Sequence, residues 1–109
     1  MAFKSVATAN IGTGATIVSD TVSSSTTHTV IGFSVSNIVA NAITITASLS
    51  KNGGNTAYLV KSATVASGGT IVIVGGDQKV VLEEGDTMKV LTDTATSADA
   101  IVSYLSSST

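Results

Sequence analysis

The chain has 109 residues, 43% of them hydrophobic and only 11% charged, with a net charge of −2 from five Lys and seven acids and no Arg. That length suits one domain with its own core, and the low charge with high apolar content excludes a disordered chain. Absent Cys excludes disulfides, thiolate chemistry and Cys-based zinc sites, and absent Arg argues against a nucleic-acid partner.

The first residues, MAFKSVATAN, lack the apolar run of a signal peptide, and no stretch approaches the length of a membrane span. The expectation is a soluble protein made in the cytoplasm. Residues 4–10 and 15–18 read as short strands hinged at Gly12-Thr13-Gly14. Residues 1–5 read as an arm leaving the domain and as the candidate contact to a larger particle or a neighbouring subunit, with Phe3 as an apolar anchor and Lys4 as a nearby cation. The alternative is that Phe3 begins the first strand and packs into its own core. Residues 19–27 are polar and read as a loop. His28 is the only histidine, so a catalytic triad would have to be built around it; the reading is a loop or strand-edge histidine instead.

Residues 29–35 alternate, which places Ile31, Phe33 and Val35 on one face. The strongest period-2 pattern is Ile43, Ile45, Ala47 and Leu49 against Thr44, Thr46, Ser48 and Ser50, a strand buried on one face and hydroxylated on the other. Lys51-Asn52-Gly53-Gly54-Asn55 is a hairpin turn, from which residues 56–65 return. Tyr58 reads as core, like Phe33.

Residues 71–91, IVIVGGDQKVVLEEGDTMKVL, hold three β-branched bursts at 71–74, 79–82 and 87–91. They are punctuated by Gly75-Gly76-Asp77 and Glu83-Glu84-Gly85-Asp86, so consecutive short strands joined by tight turns are expected. Asp77 and Asp86 read as acceptors of hydrogen bonds from their own turns. With Glu83 and Glu84 they lack the ligand spacing of a calcium loop. Neither Gly12-Thr13-Gly14 nor Gly68-Gly69-Thr70 has the ending of a phosphate-binding loop. Residues 92–98 form a loop, residues 100–105 a closing strand, and residues 106–109 a polar tail.

The sum is an all-β chain, one antiparallel β-sandwich domain over residues 1–109, jelly-roll-like or immunoglobulin-like, with about eight or nine short strands and no substantial helix. The predicted core is Ile31, Phe33, Val35, Ile43, Ile45, Leu49, Ile71, Ile73, Val90 and Ile101. With no proline, edge protection is expected from Lys51, Lys61, Lys79 and Lys89, or from neighbouring subunits. Ser and Thr occupy 33 positions, and a hydroxyl-dressed surface loses little on desolvation, which favours an assembly subunit.

MAFKSVATANIGT at the start, AYLVKSATVASGGTIVIVGGDQKVVLEEGDTMKV in the second half and ATSADAIVSYL near the end resemble the small virion structural proteins of tailed bacteriophages, particularly those of cyanobacteria and marine bacteria. The likeness is most specific at Tyr58-Leu59-Val60-Lys61, at Gly75-Gly76-Asp77-Gln78-Lys79 and at Leu82 followed by Gly85-Asp86. This chain departs from those relatives in lacking prolines within residues 19–27 and 63–67. The resemblance implies a non-enzymatic virion component without cofactor or metal, most simply a capsid decoration or cement protein, with a neck or tail appendage subunit as the alternative. Its partners would be further copies of itself, a trimer being the leading choice, and virion proteins such as the major capsid protein, with no nucleic acid and no membrane. A carbohydrate-binding β-sandwich module is a more distant reading, because such modules use exposed aromatic platforms and only Tyr58 and Tyr104 are candidates.

Overall fold

In the computed structural model, which describes residues 1–108, nine strands follow one another: β1 (Ala2–Ile11), β2 (Thr16–Ile17), β3 (Thr26–Asn37), β4 (Ile43–Ser50), β5 (Thr56–Val65), β6 (Thr70–Val74), β7 (Val80–Leu82), β8 (Thr87–Thr92) and β9 (Ala98–Ser108). They form two antiparallel sheets. One runs β1-β9-β3-β6, with β7 pairing β3 beyond β6, and the other runs β2-β8-β4-β5. This is the order of a jelly roll, in which the chain passes repeatedly from sheet to sheet, and not the immunoglobulin order.

The topology corrects the reading of residues 71–91 as a run of neighbouring strands. β6 and β7 do not pair with each other: Ser34 to Ser36 of β3 face β6, and His28 to Val30 face β7. β8 lies in the opposite sheet beside β4. The turn at Gly75-Gly76-Asp77 interrupts one edge of the larger sheet, because β6 and β7 follow each other along β3, and the turn at Glu83–Asp86 sends the chain to the other sheet; among the consecutive strands described, only β4 and β5 form a hairpin.

The core lies between the sheets. Val30, Phe33, Val35, Val102 and Tyr104 enter it from the larger sheet and Ile43, Ile45, Ala47, Met88 and Val90 from the smaller. Val18 and Val22, from the segment between β2 and β3, plug one end. Five predicted core residues are fully buried: Phe33, Val35, Ile43, Ile45 and Val90. Leu49, Ile71 and Ile73 pack half-buried at its margin.

Ile31 and Ile101 are corrections, since both are exposed. A bulge between Val30 and Gly32 interrupts the alternation of β3, so Val30 and Phe33 face inward and Ile31 outward. In β9 the inward set is Ala98, Ala100, Val102 and Tyr104, which turns Ile101 out. Both faces of that strand carry apolar residues, so alternation alone does not choose between them.

Residues 1–5 are not a free arm. Ala2 to Thr8 pair in register with Ser106 back to Ala100, so the predicted arm and the predicted tail are one ladder. Ser106 to Ser108 also pair with Thr26 to His28, while Thr109 lies outside the described residues. Of the four lysines expected to guard edges, only Lys61 sits on an edge strand, β5; Lys89 is on β8, flanked by β2 and β4.

Candidate functional site

Lys51 and Asp86 organise one end of the sandwich. Asp86 is buried, and its carboxylate accepts from Lys51 Nζ at 2.5 Å, Asn52 N at 2.9 Å and Glu83 N at 2.9 Å. Lys51 also reaches Glu83 at 2.9 Å. Burial disfavours the Asp86 anion, but these hydrogen bonds outweigh it and hold the carboxyl below its usual range; the same contacts raise the Lys51 pKa. The effect is to clip the β4–β5 turn to the β7–β8 turn. Asp86 therefore accepts from its own turn, as predicted. The turn around Asp77 is closed otherwise, by Gln78 N donating to Gly75 O and Lys79 Nζ to Gly76 O. No group of three or more metal-ligating side chains is present among the described residues.

His28 is neither in a loop nor at a strand edge. It lies buried in β3, flanked by β7 and β9, with its ring stacked on Tyr104 at a centroid distance of 4.3 Å. Its Nδ1 has no hydrogen-bond partner among the described residues. Burial lowers its pKa, opposed by the Asp20 carboxylate and assisted by Lys4. Burial and the hydrogen bond that Tyr104 Oη donates to Asp20 push the Tyr104 phenol up to about 12. No serine hydroxyl is hydrogen-bonded to His28 among the described residues, so this cluster has the form of a packed aromatic pair, not a nucleophile with its base.

The two outer faces differ sharply. On the larger sheet, one cross-strand row reads Phe3, Leu105, Thr29 and Val81, and another reads Ala7, Ile101, Ser34 and Val72. Between them Ser5, Ser103 and Gly32 form a row with small or no side chains, leaving a dent walled by Phe3 and Ile31. Phe3 is 75% exposed and Ile101 53%, and Val72, Val81 and Ile31 are exposed too. Neither sequence reading of Phe3 fits, because it is a strand residue that points away from its own core. Lys4 takes the opposite side of β1, opposite Tyr104 and within electrostatic reach of His28. The two predicted contact residues therefore occupy different faces, and only Phe3 belongs to the apolar one. Sequence reasoning missed its partners Ile31, Val72, Val81 and Ile101; the exposure of Ile31 follows from the bulge in β3 and that of Ile101 from the inward set of β9.

On the smaller sheet the outer face is mostly polar, with Ile17 exposed on β2 beside Lys89. Thr44, Thr46, Ser48 and Ser50 line up along β4, with Lys89 and Tyr58 on either side of Ser48. Tyr58, expected in the core, is 58% exposed, and Lys61 Nζ sits 4.7 Å from its ring centroid. Tyr58 stands opposite the outward-facing Ser48, on the same side of β5 as Thr56 and Thr64, whose partners Ser50 and Thr44 also face out.

No protein-family model and no curated protein matches the sequence. Among solved structures, the chain is similar to one described as "Bacillus endospore appendages form a novel family of disulfide-linked pili", with a TM-score of 0.54 and 14% identity over 98% of this chain and 87% of that one. That likeness shows the fold: an all-β sandwich.

Proposed function

We propose that this chain is a non-enzymatic structural subunit of a bacteriophage virion, working as a capsid decoration or cement protein, and that it assembles through the outer face of its five-stranded sheet. The apolar face is the observation that carries this reading. Four paired strands about 4.8 Å apart and two largely apolar rows about 13 Å apart enclose roughly 200 Å² between their centres, and the exposed side chains extend that outward. A stable interface needs about 800 Å² per partner, so this patch serves as its centre with the surrounding hydroxyl surface as its rim. Cement action then follows from added contact area that must be broken before the shell opens. A neck or tail appendage subunit would use the same face.

A second reading has its own support. The solved structure that shares this fold is described as belonging to disulfide-linked pili, so a fibre subunit is the alternative. This chain has no cysteine, and such a fibre would be held by non-covalent burial alone.

Locating the chain on purified particles by electron microscopy, together with binding of the purified protein to capsids lacking it, tests the proposal. Capsid binding that is lost in Phe3→Ser and Ile101→Asp with unchanged melting temperature is the expected result. Fibres formed by the protein alone, with no affinity for capsids, would replace the cement reading with the filament one.

A further inference from the structure

The outer face of the smaller sheet carries a second surface, on the side of the sandwich opposite the apolar one. A groove of about 260 Å³ runs along it, with Thr46, Ser48, Ser50, Thr56, Tyr58 and Lys89 as its polar lining and Ala15, Val90 and Leu91 as its apolar part. Two cross-strand rows build it, one of Lys89, Ser48 and Tyr58 and the other of Thr87, Ser50 and Thr56. Some of this hydroxyl capacity is spent internally. Ser50 and Thr56 bond each other at 3.0 Å, and Thr46 accepts from Ser62 N at 3.0 Å. Ser48, at the centre, makes no such side-chain bond among the described residues.

The charges here run against those of the whole molecule. The chain is net −2, yet none of the residues that line this groove is acidic, while Lys89 lies in it and Lys61 stands over Tyr58. Neither lysine has a carboxylate partner among the described residues, where the ion pairs are those of Lys51. Asp93 marks the end of the face, its carboxylate held by Thr44 N at 3.1 Å.

We propose that this groove binds an acidic polysaccharide of the polyuronate class. Each Ser or Thr hydroxyl both donates and accepts, which matches the dual character of sugar hydroxyls. The exposed Tyr58 ring offers an apolar body for a pyranose face together with a polar tip. Lys61 and Lys89 supply the cations for uronate carboxylates, and an open, shallow groove suits a chain passing across it better than an enclosed small molecule. A second copy of the same face is disfavoured because lysines would meet lysines. Single-stranded nucleic acid is disfavoured because it calls for successive stacking platforms and a denser cationic track than one tyrosine and two lysines. The proposal is independent of the assembly reading, since the two faces point in opposite directions.

Titration of the isotopically labelled protein with a short oligogalacturonate, followed by amide shifts and calorimetry, tests it. The expected result is saturable binding that weakens with added salt and shifts amides of β4, β5 and β8. Tyr58→Ala should weaken it about tenfold, and Lys61→Gln with Lys89→Gln should remove the preference over a neutral xylo-oligosaccharide. Both changes are at exposed or half-exposed positions, and melting curves check that the fold is kept. Absence of saturable binding, shifts confined to the other sheet, equal affinity for the neutral sugar, or tighter binding of oligothymidylate would each overturn the proposal.

Discussion

At the residue scale, His28 is a titratable group whose Nδ1 has no hydrogen-bond partner among the described residues and whose charged form is disfavoured by burial, its ring stacked on Tyr104. Its folded pKa lies below the ordinary value of 6.5, so the unfolded chain binds the proton first as pH falls. Its contribution is therefore complete above about pH 6.5 and is lost progressively below it. Urea midpoints should fall between about pH 7 and about pH 5, a window above the titration of the carboxylates. His28→Phe keeps the stack and removes the proton, and it should flatten that dependence; an unchanged slope would place the acid sensitivity elsewhere. Gly85 is a second single-residue constraint. It has φ +79°, and a Cβ there would stand 2.3 Å from Asn52 Nδ2 and 2.8 Å from Asn52 Cβ. Gly85→Ala should cost more than the roughly 1–2 kcal/mol of left-handed strain alone. In an Asn52→Gly background the clash disappears, and denaturation should read only the strain.

At the scale of the element, β4 is the strand whose sequence and structure agree best. Ile43, Ile45 and Ala47 are buried, and Thr44, Thr46 and Ser48 face out. Ile45→Asp places an unpaired carboxylate at a fully buried position, and thermal melts should show a loss of several kcal/mol or no cooperative transition. The nine strands were legible because short β-branched runs between Gly and Asp clusters have few other conformations open to them. What alternation did not reveal was how β3 behaves at its bulge, where the shift before Gly32 turned Ile31 outward; in β5 Tyr58 lies opposite the outward-facing Ser48, so its aromatic character alone suggested a place in the core. Nor did it reveal which burst pairs with which, because β6 and β7 share β3 through contacts remote in sequence. Of the two candidate contact residues, Phe3 lies on an exposed face and Lys4 does not share it, because neighbours in a strand point to opposite sides.

For the whole molecule, its two longest edge strands and its two outer faces set what it can join. β1 and β5 are each ten residues long and leave one side of their backbone unpaired in the single chain. β1 also delivers Phe3 to the apolar face, so covering that face can cover the edge as well. A symmetric homo-oligomer is the arrangement that repeats such a contact without leaving an open end, and a trimer is the expected number for a subunit placed on local three-fold axes of a shell. Sedimentation equilibrium should then return a mass of three chains of 10.8 kDa each. Ile101→Asp sets a charge on the outer face at a position 53% exposed in the single chain, where water still solvates it before association. Its melting temperature at low protein concentration should match that of the parent, while its sedimentation returns to the monomer. This is the inverse of Ile45→Asp, which strikes the core and spares the surface. Should Ile101→Asp leave the oligomer intact, or should the parent stay monomeric at high concentration and after capsids are added, the apolar face is not the assembly surface.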